Sequence, residues 1–300
     1  RWFTMRVDRA YAYTDLALDS EGNPHICYTV VMGAGRDDLK YARLENNKWV
    51  PQTIAPASGI NSYTCSIAVG PDGTPHVAFF HEKLPDDTIL AQLRYAVLKD
   101  SEWLVRTLDF DRSTGKWNSL QVDSKGNPHI AYSSYDRGQA KYASWDGKNW
   151  TTSTISGRTP AVPQGMGNSL YLDAQGNEYM TYFDQLNLRL ARRQGNLWTM
   201  ENVATIADGA WQDWTAFRSH VTLDGKGVPH IVYEDGGAIK HAYREGDRWR
   251  IQLIVAAGSS THRFSSFTRD LNDTLYIAYW DEISKSLLVA VGHSVAAATT

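Results

Sequence analysis

The sequence predicts an all-β protein: a six-bladed β-propeller of four-stranded antiparallel blades, with an N-terminal strand closing the last blade. Three observations predict it. One unit recurs six times at near-equal spacing. Each unit holds four short apolar runs separated by turn residues. The sixth unit lacks its last run, and the N-terminus carries a spare one.

The unit is most legible around a turn. It reads DLALDSEGNPHICY (15–28), SIAVGPDGTPHVAF (66–79), SLQVDSKGNPHIAY (119–132), SLYLDAQGNEYMTY (169–182), HVTLDGKGVPHIVY (220–233) and SFTRDLNDTLYIAY (266–279), with start-to-start spacings of 51, 53, 50, 51 and 46. A repeat of this length with short alternating runs marks a meander that cannot bury both faces alone and must pack radially against its neighbours. The Asp-x-x-Gly step between the first two runs supplies a tight turn, with glycine available for positive φ.

The third run follows as LKYA (39–42), LRYA (93–96), AKYA (140–143), LRLA (188–191), IKHA (239–242) and LLVA (287–290). The fourth opens on tryptophan and ends on an aliphatic residue: WVPQTI, WLVRTL, WTTSTI, WTMENV and WRIQLI. The missing sixth copy is WFTMRV at residues 2–7, which is the reason to expect closure by the N-terminus. The whole chain then reads as one propeller, with blades at about 9–56, 57–110, 111–157, 158–205, 206–256 and 257–295 plus 1–8.

Four histidines, His25, His76, His129 and His230, recur at one position of the repeat. Metal ligands must converge on one ion, whereas these stand a blade apart, and Tyr179 and Tyr276 take the same position in two units. They are therefore read as architecture, and neither a metal nor a cofactor is expected.

Composition narrows the function classes. A formal charge of -3 and a pI near 6.3 argue against a nucleic-acid binder, which would present a basic face. No run of 18 apolar residues exists, so no helical membrane span is expected. Two cysteines are too few for a disulfide framework. One bridge is open to Cys27 and Cys65, but two buried reduced thiols are the preferred expectation. The chain starts at Arg1 without methionine, so a processed upstream segment and a secreted or periplasmic location are expected. A monomer is expected, and SVAAATT at the C-terminus should fray.

The D-x-x-G-x-P-H-[IV]-x-Y…L-K-Y-A…W pattern resembles tandem propeller repeats of bacterial and archaeal exported proteins, loosely grouped with sialidase-like propellers. The resemblance spans nearly the whole chain and implies the fold. It departs from sialidases at the turn: LDSEGNPH has an Asp-to-Gly gap one residue longer than S-x-D-x-G-x-T-W and no tryptophan after it. An Arg-Ile-Pro motif is absent too, so the resemblance carries no sialidase chemistry.

Candidate chemistry is sought where a blade departs from the repeat, at the end where each first run begins and each second run ends. The first position of run one is serine in four units (Ser66, Ser119, Ser169, Ser266) but Asp15 and His220 in the others. Two residues earlier stand Tyr13, Thr64, Trp117, Gly167, Arg218 and Phe264, and one further back Tyr63, Lys116 and Arg263. Loops after run two offer His81 and Glu82, Asp184, Glu234 and Asp235, and Trp280, Asp281 and Glu282, with Asp136 slightly later in the third unit. Of these, Asp184, Asp235 and Asp281 are read as turn caps. Trp211 and Trp214 lie outside any run and could form an aromatic lip.

Three functions fit such a ring. In carbohydrate recognition, Trp117, Phe264, Trp280, Trp211 and Trp214 stack on sugar faces while Asn118, Arg263, Glu82, Glu234 and Glu282 bind hydroxyls. In carbohydrate cleavage, catalytic candidates are Asp15, His220, His81, Arg218 and Tyr13: paired carboxylates for hydrolysis, or a His or Tyr base with an arginine for a uronate lyase. The alternative is a non-catalytic protein-interaction scaffold. The expected partner is a glycan or other polar small molecule.

Overall fold

The structure is a computed structural model. It describes residues 4–8, 12–31, 37–56, 64–83, 90–111, 113–134, 136–156, 167–206, 218–257, 262–281 and 284–293. Every described regular element is a strand, and the chain divides into two compact units, Arg1–Gly165 and Met166–Thr300.

The first unit holds three antiparallel meanders. They are β1 (Ala12–Leu18), β2 (Pro24–Val31), β3 (Asp37–Glu45) and β4 (Lys48–Ala55); β5 (Cys65–Val69), β6 (Pro75–Lys83), β7 (Leu90–Lys99) and β8 (Glu102–Asp111); and β9 (Thr114–Val122), β10 (Pro128–Ser134), β11 (Gln139–Trp145) and β12 (Trp150–Thr154). The second unit repeats the pattern with β13 (Ser169–Leu172), β14 (Glu178–Asp184), β15 (Asn187–Gln194) and β16 (Leu197–Thr205), then β17 (Ser219–Leu223), β18 (Pro229–Asp235), β19 (Ala238–Glu245) and β20 (Arg248–Val255). Its last described sheet has three strands, β21 (His262–Arg269), β22 (Thr274–Asp281) and β23 (Ser286–His293). Strand order within each sheet follows the chain, as short turns between antiparallel neighbours require.

The repeated turn builds itself. The Asp19 carboxylate accepts from the amides of Glu21 (2.9 Å) and Asn23 (2.8 Å), and the Gly22 amide donates to the Asp19 carbonyl at 3.1 Å. Gly22 has φ +84, a left-handed value that costs glycine no steric clash. The Asn23 side-chain amide also donates to Asp19 Oδ2 at 2.9 Å, and this bond, with the amide bonds to the carboxylate, holds the Asp19 carboxyl down at about 2. The following histidine fastens the third strand: His25 Nδ1 lies 2.7 Å from Tyr41 Oη, His76 Nδ1 is 2.5 Å from Tyr95 Oη, and His129 Nδ1 is 2.5 Å from Tyr142 Oη. In the fifth blade His241 replaces the tyrosine, 2.9 Å from His230 Nδ1.

The core lies between neighbouring sheets. Cys27, Leu39, Tyr41 and Ile54 pack on Ile67, Val77 and Phe79. Leu93 and Tyr95 pack on Leu120, Ile130 and Tyr132. In the second unit, Val232 and Ile239 meet Phe267, Leu275 and Ile277. Tryptophans of the fourth strands complete these seams: Trp103 meets Tyr41 edge-on at 5.2 Å and Trp150 meets Tyr95 at 4.9 Å, each reaching back one blade.

Two expectations need correction. Cys27 on β2 and Cys65 on β5 are not reduced thiols but form a disulfide between the first two sheets. The alternation of β2 turns Cys27 into the seam where β5 begins, a proximity that a gap of 38 residues does not reveal. Residues 4–8 of the expected closing run belong to no described strand, and no fourth strand appears among the described residues of the last sheet. That segment still gives the first blade what a fourth strand gives its neighbour. Asp8 accepts from the Tyr28 hydroxyl (3.0 Å) and from Lys40 Nζ (3.2 Å), and Val7 packs beside Tyr28 and Trp49. Asp109, at the end of β8, accepts from Tyr132 (2.7 Å) and Lys141 of the third blade in the same way.

Candidate functional site

In three blades the residue that begins the repeat, Asp15, Ser66 or Ser169, is tied into the next blade. The Ile67 amide donates to Asp15 Oδ2 at 2.9 Å, and in the second unit the Val221 amide donates to Ser169 Oγ at 3.2 Å. Ser66 Oγ donates to Asn118 Oδ1 at 2.8 Å. The Asn118 amide donates to the Gly115 carbonyl (2.9 Å), Thr64 Oγ1 (3.1 Å) and the Thr64 carbonyl (3.4 Å). Ser219 Oγ reaches the Gly167 carbonyl and Thr181 Oγ1 at 2.8 and 2.9 Å. Asp15 and Asn118 thus act in an inter-blade seam. Burial pushes the Asp15 carboxyl up, against the two amide bonds from Ile67 and Leu16 that pull it down.

In the first unit the loop end between the second and third blades gathers charge. Glu82, half-buried near the end of β6, has its carboxyl raised chiefly by burial; Lys116 pulls it down and Asp136 pushes it up. The Lys116 ammonium lies over the Phe80 ring, 5.2 Å from its centre. Between Lys116 and Ser119 the strand bulges: Ser133 pairs with Lys116 and Ala131 with Ser119, so Trp117 and Asn118 together oppose Tyr132. A bulge re-aims side chains, and here its two residues are the half-buried Trp117, next in the chain to Lys116, and Asn118. His81 is buried on β6, opposite Gln92 of β7.

The second unit has its own group. The Glu234 amide donates to the Arg218 carbonyl at 3.1 Å, which sets those two residues side by side, with Arg218 exposed and Glu234 buried. His220 pairs with Val232, one alternation along the same sheet face. Phe267 meets the His220 ring edge-on at 6.1 Å, and burial lowers the His220 pKa to about 4 although the residue as a whole is half-buried. At neutral pH His220 is therefore an uncharged hydrogen-bonding group. Glu234 occupies a strand position that Phe80 and Phe183 fill in the second and fourth blades.

The acids read as turn caps divide. Asp281 accepts from the Ser284 amide at 3.2 Å and from its hydroxyl at 2.5 Å, which is capping. Asp235 instead pairs with Lys240 at 2.6 Å, and Asp184 with Arg189 at 3.7 Å. Trp280 is half-buried on β22. Tyr13 lies on β1, and Arg263 and Phe264 lie on β21, but their side chains fall outside the described set; Trp211, Trp214 and Glu282 lie outside the described residues altogether.

The spacing of Glu82, Lys116 and Asp136 follows no motif that joins them; the pairing of β9 with β10 brings Lys116 and Asp136 to one end, and Glu82 of β6 lies within electrostatic reach of both. Among the described residues no three histidine, cysteine or acidic side chains converge as metal ligands. At the opposite, turn end of the first two blades a polar recess of about 400 Å³ is lined by Asp19, His25, Arg43, Glu45 and Gly73, away from this cluster.

No family model and no curated protein sequence matches the chain. Solved structures do. A protein of unknown function from Dyadobacter fermentans is 12% identical with a TM-score of 0.63, covering 95% of this chain and 96% of its own. The fucose-recognising lectin of Aleuria aurantia, described as a six-bladed β-propeller, is 15% identical with a TM-score of 0.53, over 96% of this chain and 97% of its own. An α-L-arabinanase of Penicillium chrysogenum, solved with arabinobiose, is 13% identical with a TM-score of 0.54, over 94% and 93%. At such identity the likeness shows the fold, and the fold is the six-bladed β-propeller.

Proposed function

We propose that the protein recognises a carbohydrate at the loop end of its second and third blades and cleaves it by glycoside hydrolysis. The observation that carries the reading is the half-buried Glu82 carboxyl, raised by burial, with Asp136 as a second carboxylate within its electrostatic reach and Lys116 between them in effect. A carboxyl whose proton is held more tightly than usual can give it to the glycosidic oxygen as the bond to the anomeric carbon breaks. The second carboxylate then takes a proton from the water that adds to that carbon. Asn118 braces the bulge that follows Lys116, and the likeness to arabinose- and fucose-binding propellers supports the substrate class.

Arg218, His220 and Glu234 of the second unit form a further binding group on this reading. A secreted or periplasmic location is supported by the Cys27–Cys65 disulfide, since such bonds persist in oxidising compartments.

The test is a panel of neutral and acidic polysaccharides, assayed for binding, new reducing ends and the absorbance of unsaturated uronates. Reducing ends without unsaturation, lost in Glu82→Gln, are expected. Unsaturated products would move the chemistry to a lyase. Binding without cleavage would leave a lectin, and silence in all assays would favour the interaction scaffold.

A further inference from the structure

Trp117 sits at φ +46, in the left-handed region that a bulky side chain rarely adopts. The fourth blade shows the unstrained solution: the equivalent residue there is Gly167, at φ +62. The third blade therefore holds an indole where backbone geometry favours glycine. Its surroundings enforce this. Gly115, at φ +105, packs so closely that a Cβ there would lie 2.8 Å from Leu93 Cα. On the other side, Asn118 is pinned by Ser66, Thr64 and Gly115. Strain held in place by its neighbours is a mark of a side chain kept for contact with a ligand.

From this strain and the neighbouring charges we infer that Trp117 is a pre-set stacking platform for a neutral hexopyranose, one whose hydroxyls leave one face of the ring lined by C–H groups. The inference rests on the carbohydrate reading above and names its substrate class. An indole face binds such a C–H surface with little conformational loss, because two side-chain torsions are all that must be fixed. The charge beside it selects against acidic sugars. Among the described residues, the groups acting on Glu82 are one ammonium, Lys116, and one further carboxylate, Asp136. A uronate would add its carboxylate to those of Glu82 and Asp136, with Lys116 the cation acting on Glu82 among the described residues, whereas neutral hydroxyls can donate to both acids.

Isothermal titration with neutral galactan and glucan oligosaccharides and with oligogalacturonides tests it. Wild type is expected to bind one of the neutral probes at least about tenfold more tightly than the acidic one, the 1.4 kcal/mol of a disfavoured charge contact. Trp117→Gly is expected to lose about thirtyfold in affinity, as for loss of an aromatic anchor, while its thermal midpoint stays at or above that of wild type. Trp117→Phe should keep most of the binding. If Trp117→Gly does not fold, Trp117→Leu replaces it, keeping bulk without an aromatic face, and the same loss is expected. Wild-type affinity in the Gly or Leu variant, or tighter binding of the uronate, overturns this inference alone. A wild type that binds no oligosaccharide overturns the carbohydrate reading with it.

Discussion

Asp15 in the first blade and Ser169 in the fourth accept the same hydrogen bond, each from the backbone amide of the third residue of the next blade's first strand, Ile67 and Val221 respectively. An aspartate that stands out in the repeat thus does what a serine does elsewhere. It does so at a cost, because burial holds its carboxyl above the ordinary 3.8. Below that value the group is neutral folded or unfolded. As pH rises through the folded value, ionisation is favoured more in the unfolded chain, and stability is lost. Asp15→Ser is therefore expected to fold normally and to gain on wild type between pH 4 and pH 7, read as urea midpoints. Asp15→Ala should lose about 1 kcal/mol with the bond. A Ser variant that unfolds would show that the carboxylate does more than latch.

Acid should weaken the fold through its histidines. His76, His220 and His241 are each lowered to about 4 by burial, against 6.5 when unfolded. The unfolded chain binds more protons between those values, so the stability present above pH 6.5 is lost as pH falls towards 4. Each histidine contributes a slope of about 1.4 kcal/mol per pH unit at most. His76→Gln is expected to flatten the slope by one such share while weakening the fold at pH 7.5, since the bond to Tyr95 changes. Denaturant melts across pH 4.5–7.5 measure both.

The disulfide closes a separation of 38 residues between two neighbouring blades. Chain-entropy reasoning assigns such a closure about 4 kcal/mol. Cys27→Ser with Cys65→Ser is expected to remain folded at 25 °C with a urea midpoint lowered accordingly. An unchanged midpoint would mean that the seam of Leu39, Ile67 and Phe79 holds the blades without it.

Asp8 anchors the N-terminal segment to the first blade. Asp8→Ala should cost about 1–3 kcal/mol, because it removes one charged and one hydroxyl partner at a half-buried site. Asp109→Ala should cost a similar amount at the matching contact. A silent Asp8 variant beside a destabilised Asp109 variant would show that the two contacts are not equivalent in solution.

Among the described residues, the buried indole nitrogen of Trp49 has no hydrogen-bond partner. Its counterparts Trp103 and Trp249 donate to Gln52 and Glu201, each three residues after the preceding tryptophan. The residue at that place in the N-terminal run is Met5. Met5→Gln is expected to supply the acceptor and raise the thermal midpoint, by about 1 kcal/mol of stability. No rise would place the run differently from its repeat counterparts.

The sequence by itself determined the strands, their order and the number of blades. Each of those depends on contacts between residues a few positions apart: the Asp19 turn, the two-residue alternation of PHICY, and the tryptophan after a short turn. It also placed the repeated histidines as architecture, although the tyrosines that hold His25, His76 and His129 came only with the β2–β3, β6–β7 and β10–β11 pairings. What joins one blade to the next was decided by tertiary structure. The Cys27–Cys65 bond, the latch from Asp15 to Ile67 and the meeting of Glu82 with Lys116 and Asp136 each link positions tens of residues apart, with no spacing rule to announce them. Nor could composition show that Trp117 stands where Gly167 would stand without strain. A side chain's backbone angle follows from the bulge around it, and the bulge exists only once two strands are paired.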